Sequence, residues 1–440
     1  MKIILSMLLI GPLTGVVDGQ LASRAAVAEG GTNAVLALGQ ILSEVLSNNP
    51  SLQAARATWE AMQERVPQAR AWDDLRLGVD VVADRTVAVP PNSFTDQRYS
   101  AEQAIPLSGK NRLRGRAANA EALAALADWQ RRQLDLVAQA RTAYYRLANG
   151  YAQLDLNRQN IELLKQFAAI SRDKYEVGRQ NQADVLTAET ERARLEEGRF
   201  DLLRQISDEQ SALDVLMNRP ARAPLGRPVA LEFAPSHWAL DQLEHLALNH
   251  RPELRIARLE VQAALARRDL ARREWYPDPA LRLEASQYNE TSHGISEVMA
   301  GIVFNVPWLN HGKYTADVRE NKKLVQSAQL QLEAAEAQTL GMVRDQLQAV
   351  ETFHHHYQLF RDQILPLARQ TVEARRAAYE ADQASFLDLI LAQRTLRETE
   401  SLALQHLADY LAARAKLQAM VGTDLPGQPS AALPTAKETK

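Results

Sequence analysis

Four stretches of the chain alternate apolar and polar residues one by one, which is the period of a β-strand with two different faces. In the first half these stretches run from Leu75 to Asp84 and from Arg98 to Ile105. In the second half they run from Leu281 to Ser286 and from Val298 to Val306. A loop separates the two stretches of each half, so the pattern predicts two β-hairpins with about ten residues in each strand. Each strand is expected to have one apolar and one polar face.

The segments that follow the hairpins have a different period, with apolar residues seven positions apart. Val137, Tyr144 and Tyr151 show this spacing in the first half, and Val343 and Val350 show it in the second. A seven-residue spacing of apolar residues that continues over many turns is typical of helices that supercoil around their neighbours. We therefore predict two antiparallel pairs of long coiled-coil helices, over residues 111–176 and 183–218 and over residues 314–380 and 385–421. At 1.5 Å per residue, the first of these helices would be about 100 Å long.

The two halves of the chain repeat one order of elements. The stretch Tyr175–Glu189 (YEVGRQNQADVLTAE) returns as Tyr379–Gln393 (YEADQASFLDLILAQ), at an offset of 379 − 175 = 204 residues. The step from hairpin to helix also returns, as Ile105–Lys110 and Val306–Lys313. Such self-similarity indicates an internal duplication. It divides the chain into a first repeat at 35–218, a linker at 219–235, a second repeat at 240–421 and a disordered tail at 422–440.

The N-terminus has the pattern of an export signal. Lys2 precedes a mostly apolar run over Ile3–Val17, and Ala26–Ala28 offers a cleavage motif of small residues. This pattern predicts a secretory signal peptide at residues 1–28, because the apolar run is shorter than the ~20 residues of a membrane-spanning helix. The chain contains no cysteine, which excludes disulfides, cysteine-bound metals and thiol nucleophiles. Its net charge of −3 argues against a nucleic-acid partner.

Strands of about ten residues in an exported chain have the length that crosses a bilayer as a tilted β-strand. An open sheet cannot span lipid, because its edges would leave backbone groups without hydrogen bonds. Four strands are too few to close a barrel, so the chain is expected to share one with other copies. Two copies would give eight strands with a filled interior, and three would give twelve strands around an aqueous lumen. The candidate lumen-facing charges are Arg76, Asp80, Asp84, Arg98, Glu102, Arg282 and Glu284.

The signal peptide and the duplicated order of hairpin and long helices resemble the TolC-type outer-membrane efflux channels. Two weaker motifs add to this resemblance: the Ile-Pro-Leu-x-Gly-Lys step at Ile105–Lys110 and the Tyr-Glu-x-Gly…Asp-Val-Leu stretch at Tyr175–Leu186. The resemblance covers about residues 35–421 and implies a mainly α-helical fold with a transmembrane β-barrel contribution. In that family a homotrimer forms a 12-stranded barrel in the bacterial outer membrane lipid and an α-helical tunnel in the periplasm.

The same resemblance implies two protein partners, a periplasmic adaptor (membrane fusion) protein and an inner-membrane transporter, which we expect to be proton-driven. It also implies that the two repeated stretches lie at the periplasmic tips of the helical hairpins, where they form the entrance gate and the adaptor-docking surface. The residues expected there are Tyr175, Gly178, Asp184, Tyr379, Asp382 and Asp388.

A contact between Tyr379 and Asp184 is a candidate latch of this gate, since the family links neighbouring hairpins through the equivalent residues. Alternatively, Tyr379 is a packed core residue, and Asp184 is solvated or caps a helix. The sequence departs from the family at Ala384, where well-studied members carry an arginine that helps to lock the gate. Gly178 of the first repeat corresponds to Asp382 of the second. The two tips therefore cannot be identical.

Other candidate chemistry is weak. Gly109–Lys110 and Gly312–Lys313 lack the earlier glycine of a phosphate-binding loop. The three residues His354–His356 cannot converge on one metal ion, because consecutive helical residues point about 100° apart. No cofactor, metal site or paired nucleophile and base is expected, so an enzyme is the least supported class.

The leading function is therefore a passive exit duct in a tripartite efflux pump for drugs or heavy-metal cations. The Ile-Pro-Leu-x-Gly-Lys step is more similar to the heavy-metal branch of the family. One alternative is the exit duct of a type I protein-secretion system. An alternative of a different class is a periplasmic coiled-coil scaffold without a pore, but a scaffold has no need for four strands with an apolar alternating face.

Overall fold

The computed structural model describes residues 35–81, 95–178, 181–221, 223–288, 294–381 and 383–425. The predicted signal peptide and two of the predicted site residues, Asp84 and Asp382, lie outside these residues. Within them the chain is mainly helical and contains one four-stranded sheet. None of the helices in this part of the chain combines the length and the apolarity that spanning a membrane requires.

The first half contains two short helices, a hairpin and two long helices. Its elements are β1 (Val35–Leu36), α1 (Leu38–Asn48), α2 (Pro50–Arg70), β2 (Arg76–Val81), β3 (Thr95–Ala104), α3 (Lys110–Glu176) and α4 (Gln182–Leu216). The 67 residues of α3 correspond to a helix of about 100 Å.

The second half repeats this order, preceded by a short strand in the linker. Its elements are β4 (Arg227–Pro228), α5 (Leu240–His250), α6 (Pro252–Arg273), β5 (Pro279–Tyr288), β6 (Glu297–Phe304), a 3₁₀ turn (Pro307–Asn310), α7 (His311–Leu359), α8 (Leu365–Glu380) and α9 (Phe386–Val421). The strand β4 pairs in parallel with β1, so the linker is attached to the start of the described chain.

A single π-helical turn at Phe360–Ile364 separates α7 from α8. The amide of Leu365 donates to the carbonyl of Phe360, five residues earlier. Pro366 follows directly and has no amide hydrogen to continue the ladder of the α-helix. This proline therefore accounts for the interruption of the long helix.

The start of α2 shows how the short helices are tied to the long ones. The side-chain oxygen of Asn49 accepts hydrogen bonds from the amides of Ser51 at 3.0 Å and Leu52 at 3.3 Å. Pro50 occupies the first helical position, where no amide donor is needed. The amide group of Asn49 also donates to the carbonyl of Leu216 at 2.9 Å, so the cap joins α2 to the end of α4.

The four strands form one antiparallel sheet in the order β2-β3-β5-β6. Pairing of β3 with β5 joins the hairpin of the first half to the hairpin of the second. Within the described chain, β2 and β6 are therefore the two edge strands, and neither has a partner on its outer side.

Apolar side chains form three main clusters along the helices. The first joins α1, α3 and α4, and the second joins α5, α7 and α9. The third lies where the four long helices end, around Ile161, Phe167, Phe386 and Leu389. The residues spaced by sevens take part in these clusters, since Val137, Tyr144, Val343 and Val350 are buried. This burial confirms the predicted coiled-coil packing.

The first residues of the predicted tail are packed. Gly422 ends α9 with a φ of 81°, and the carboxylate of Asp424 accepts a hydrogen bond from Gln418 at 2.6 Å. Leu425 is buried in the second cluster. The described chain ends there.

Candidate functional site

Six of the seven predicted lumen residues lie on one face of the sheet. Directly paired residues of neighbouring strands point to the same side. Arg76 pairs with Glu102, which pairs with Arg282, and these three form one row across the sheet. Asp80 pairs with Arg98 in another row, and Glu284 lies in the row between them.

The charges on this face alternate in sign. The guanidinium of Arg76 lies 4.0 Å from the carboxylate of Glu102, and Arg282 lies 2.7 Å from Glu284. An apolar environment would penalise such charges strongly, whereas water solvates them. This face is therefore the polar face of the sheet.

The opposite face of the sheet is apolar and exposed. It contains Leu77 and Val79, which are 75% and 63% exposed, together with Tyr99, Leu283, Val298 and Ile302. A contiguous apolar surface of this kind needs a cover, because water does not solvate it favourably. The sheet thus has the one-sided polarity that a strand between lipid and a lumen requires.

Large aromatic side chains surround the end of the sheet that joins the helices. Trp72 precedes β2, Tyr276 precedes β5 and Trp308 follows β6, and each of them is more than half exposed. Tryptophan and tyrosine are enriched where a membrane meets water, because each has an apolar ring and a polar group. The three residues therefore lie where a membrane boundary would be expected.

The step from β3 to α3 is held by a buried lysine. The ammonium group of Lys110 lies 3.0 Å from the carboxylate of Asp278 and 3.2 Å from that of Glu274. It also donates to the carbonyl of Tyr276 at 2.9 Å. Gly109 caps α3 with a φ of 74°, which a glycine adopts without strain. Lys110 is thus a structural residue that joins the two repeats at the base of the sheet.

The same contacts change the acidity of Asp278. Partial burial alone would raise the pKa of its carboxyl group, but its contacts with Ser108 and with the ammonium group of Lys110 outweigh this effect. The amide of Ser108 donates to the Asp278 carboxylate at 3.0 Å. The pKa of Asp278 is therefore lowered from its usual 3.8.

We use the word tip for the ends of α3 and α8 and the starts of α4 and α9. Tyr379 is buried in the tip, where it is 5% exposed and its ring packs 5.6 Å from the ring of Phe386. The ammonium group of Lys174 lies 4.2 Å from the centre of the Tyr379 ring and donates to its carbonyl at 3.2 Å. These contacts link the end of α3 to the end of α8.

The other predicted gate residues serve the local geometry of the tip. Gly178 has a φ of 72° and follows the end of α3, while Tyr175 is nearly half exposed. Asp184 is half-buried in the first turn of α4, and within the described part of the chain its carboxylate has no ion pair or hydrogen bond. The tip brings Tyr379 and Asp184 to the same end of the molecule, and the latch between neighbouring hairpins stays a prediction.

Asp388 forms a capping box with Ser385 at the start of α9. Its carboxylate accepts from the hydroxyl of Ser385 at 2.9 Å and from the Ser385 amide at 3.3 Å, and its own amide donates to that hydroxyl at 3.1 Å. These hydrogen bonds lower the pKa of Asp388 from its usual 3.8. Asp388 therefore has a structural role within its own chain.

Sequence reasoning missed the polar contacts that join the two helical hairpins near the tip. The buried amides of Asn160 and Gln393 are linked by a hydrogen bond of 3.0 Å between α3 and α9. The carboxylate of Glu191 on α4 pairs with Arg394 on α9. Polar residues at coiled-coil positions of this kind fix the register between helices. In the sequence, the only sign of these contacts is a polar residue on an otherwise apolar helix face.

Comparison with known proteins places these features in a family. A model of the family described as outer membrane efflux protein matches residues 41–219 and again residues 243–423. The chain is 25% identical over 402 residues to the toluene efflux pump outer membrane protein TtgF of Pseudomonas putida, covering 87% of this chain and 82% of that protein. It is 23% identical over 363 residues to the cobalt-zinc-cadmium resistance protein CzcC of Cupriavidus metallidurans, covering 82% and 84%.

The fold is similar to that of a solved outer membrane protein. The crystal structure of the outer membrane protein VceC from Vibrio cholerae matches with a TM-score of 0.75 at 20% identity, over 88% of this chain and 96% of that one. The family model matches well over half of the chain, in both of its halves. The chain therefore belongs to the outer membrane efflux protein family.

Proposed function

We propose that the chain is the outer-membrane exit duct of a tripartite efflux pump and that it works as a homotrimer. The observation that carries this proposal is the sheet, which has a charged face and an exposed apolar face on opposite sides. Three copies would contribute twelve strands, enough to enclose an aqueous lumen lined by the charged face. The apolar face would then contact lipid, which removes the need for any other cover.

The long helices would continue the duct into the periplasm. Three copies of the two helical hairpins would surround a tunnel of about 100 Å, the length of α3. The tips would lie at its inner end, where a periplasmic adaptor and a proton-driven inner-membrane transporter deliver the cargo. In this arrangement Tyr175, Gly178, Asp184, Tyr379, Asp382 and Asp388 form the entrance and its docking surface.

The relatives suggest the class of cargo. TtgF is named for toluene efflux, and CzcC is named for resistance to cobalt, zinc and cadmium. We therefore propose small apolar molecules or heavy-metal cations as cargo. A duct with charges of both signs along its wall is compatible with either, because it does not have to bind what passes through it.

The direct test is the conductance of detergent-purified mature protein in a planar lipid bilayer, together with chemical crosslinking to count subunits. We expect discrete channels from a preparation that crosslinks to a trimer. A preparation that stays soluble without detergent and gives no channels would favour the scaffold instead.

Glu284→Lys provides a sharper test of the lumen face. The substitution reverses one charge per subunit on the face that we assign to the lumen, so the channel should become less selective for cations. Val79→Thr changes the opposite face and serves as the control, with no expected change in ion selectivity. Equal selectivity of wild type and Glu284→Lys would contradict the assignment of the lumen face.

A further inference from the structure

The π-helical turn at Phe360–Ile364 interrupts the long helix that α7 and α8 would otherwise form. Its hydrogen bond runs from the amide of Leu365 to the carbonyl of Phe360, and Pro366 then has no amide to donate. Turns of this kind inside α-helices are frequent at functional sites. The turn is therefore a place where α8 can move relative to α7 with the loss of few hydrogen bonds.

Two histidine side chains connect this turn to α9. The ring of His356, which lies four residues before Phe360, is 5.1 Å from the ring of His406 on α9. The ring of Phe360 packs edge-to-face against His406, at 5.0 Å. We call His356 and His406 the histidine pair. His406 thus contacts both the end of α7 and the first residue of the π-helical turn.

The packing of His406 favours the neutral form of its ring. Its Nδ1 atom is buried and has no hydrogen-bond partner within the described part of the chain. Protonation places a hydrogen on both ring nitrogens, so Nδ1 would become a charged donor without an acceptor, which is costly for a buried atom. Burial and the neighbouring His356 lower the pKa of His406 from its usual 6.5, against an opposing effect of Asp409.

A second histidine near the end of α7 has the same preference. His354 is 8% exposed, and its Nε2 atom is buried without a hydrogen-bond partner among the described residues. Its ring lies 5.2 Å from that of His237, in the segment before α5. Burial lowers the pKa of His354, and His237 and Arg361 add to this effect. Proton uptake therefore disfavours the packing of α7 at His354 as well as at His406.

The carboxylate of Asp409 acts on His406 from the same helix, three residues later in the chain, and favours the protonated ring. Burial raises the pKa of Asp409 itself, while His406, Arg146 of α3 and Lys416 of α9 act in the opposite direction. A carboxylate shared with these other cations cannot balance the charges of two imidazolium rings. Asp409 therefore reduces the cost of protonating the histidine pair without removing it.

The charged side chains of the turn and of α8 beside it form ion pairs. Arg361 donates to Asp362 at 2.6 Å and 2.9 Å, and Arg369 of α8 lies 3.1 Å from Glu400 of α9. Arginine and carboxylate groups ordinarily keep their charges over the pH range in which histidine titrates. Mild acid should therefore change the contacts on the α7 side of the turn and leave the ion pair between α8 and α9 in place.

We infer that the histidine pair makes the π-helical turn an acid-sensitive hinge: the neutral rings hold the turn against α9, and their protonation releases it. Two positive rings 5.1 Å apart repel each other. In the released state the Nδ1 atom of His406 reaches water, which solvates its charge. The hinge requires only the fold of one chain, so this inference goes beyond the proposed duct and does not depend on it.

The direction of the pH dependence follows from the lowered pKa of His406. The packed state binds a proton less readily than the released state, in which the pKa returns towards 6.5. The packed state is therefore fully favoured above pH 6.5 and loses this advantage as the pH falls below it. The lowered pKa of His354 acts in the same direction.

Hydrogen–deuterium exchange of the detergent-purified mature protein tests the hinge at about pH 8 and about pH 5, the range over which histidine titrates. The rates are corrected for the intrinsic effect of pH on an exposed amide, and the amides of α3 around Leu136 serve as an internal reference. We expect the protection of the amides of Phe360 and Leu365 to fall about tenfold or more at the lower pH, while the reference stays protected. The measurement involves no conductance, so its result is independent of the proposed pore.

Substitutions of the histidine pair should remove this response. His406→Gln and His356→Gln each eliminate the repulsion between two charged rings, so the protection of the turn should change less than about twofold between the two pH values. His356→Lys places a permanent charge beside His406 and should lower the protection already at about pH 8. Circular dichroism and the subunit count at that pH verify the fold, and either glutamine variant suffices if the other does not fold.

His355→Gln is the matched control. It removes an exposed histidine that is next to His356 in the sequence but points in another direction, and it should respond to acid like the wild type. Unchanged protection of the turn in the wild type at about pH 5 would overturn the inference. So would a full acid response in both glutamine variants of the histidine pair, or a loss of the response in His355→Gln.

Discussion

Tyr379 is a residue with two possible roles, since it is both packed in the tip and part of the proposed gate. Its ring contacts Phe386 and the ammonium group of Lys174, so removal of the ring would disturb the fold of the tip itself. The hydroxyl group can be removed alone by Tyr379→Phe, which keeps the ring. This substitution therefore tests the role of Tyr379 in the gate without removing the ring that packs in the tip.

We expect Tyr379→Phe to raise the conductance of the channel several-fold, because loss of one hydrogen bond from a closed tip destabilises it by about 1 kcal/mol. Asp184→Asn should have a similar effect if the two residues form the latch. Tyr276→Phe is the matched control, because this tyrosine is exposed beside the sheet, at the other end of α3 from the tip. Single-channel recording measures all three variants, and unchanged conductance in both Tyr379→Phe and Asp184→Asn would refute the latch.

Asp278 is one of the residues for which the structure predicts a dependence of stability on pH. Its pKa is lowered in the folded protein, so its carboxylate stabilises the fold fully above the usual pKa of 3.8. This contribution is lost as the pH falls below 3.8 through the lower pKa of the folded state.

Asp278→Asn should therefore destabilise the protein by about 1 to 2 kcal/mol at pH 7, because a charged hydrogen-bond acceptor is removed. The difference from the wild type should shrink as the pH falls below 3.8. Chemical unfolding at a series of pH values would measure it. Asp388→Asn, whose carboxylate is exposed, is a comparison for a cap at the surface. A constant difference between wild type and Asp278→Asn at all pH values would contradict the proposed role of the charge.

At the scale of the elements, the end of α9 depends on a glycine. Gly422 has a φ of 81°, and a Cβ atom at this position would lie 2.8 Å from the carbonyl oxygen of His250. The C-terminal end of α9 thus packs directly on the turn between α5 and α6. No other residue type fits both the backbone and the space.

We expect Gly422→Ala to lower the free energy of unfolding by about 2 kcal/mol or more, from the positive φ and from the clash. Gly341→Ala is the control, because Gly341 is inside α7 and has no atom within 4 Å of a new Cβ. That substitution should stabilise the protein by up to about 1 kcal/mol through the helix propensity of alanine. Thermal unfolding of both variants measures the contrast, and equal stabilities would show that the close approach to His250 is unimportant.

The elements were largely predictable from the sequence because their patterns are local and long. The seven-residue spacing of apolar residues around Val137 and Val350 predicts buried helix faces. The alternation of apolar and polar residues in β2 and β3 predicts the charged face of the sheet. Contacts between distant segments have no such pattern. The pairing of His237 with His354 and the hydrogen bond between Asn160 and Gln393 depend on how helices approach each other, so the sequence alone did not reveal them.

At the scale of the whole molecule, the apolar face of the sheet is the surface that the membrane is expected to cover. Leu283→Arg would place a charge there, which costs about 2 to 4 kcal/mol near the centre of a bilayer. We therefore expect fewer assembled trimers in the membrane. Ser100→Arg makes the same change on the opposite face, since Ser100 pairs with Glu284, and it should assemble normally. Crosslinking of isolated membranes compares the two variants, and equal assembly would exclude lipid contact of the Leu283 face.

The edges of the sheet determine how copies of the chain join. Because β2 and β6 lie at opposite edges, a ring must place β6 of each copy beside β2 of the next. In the proposed trimer, every subunit thus forms two different contacts, one through β2 and one through β6. A single subunit with an altered edge strand therefore prevents the ring from closing. A cell that makes equal amounts of wild-type chain and of a chain altered in β6 would then retain only about one intact ring in eight. Mutations of these edge strands should therefore be genetically dominant, whereas mutations that merely prevent the chain from folding should be recessive.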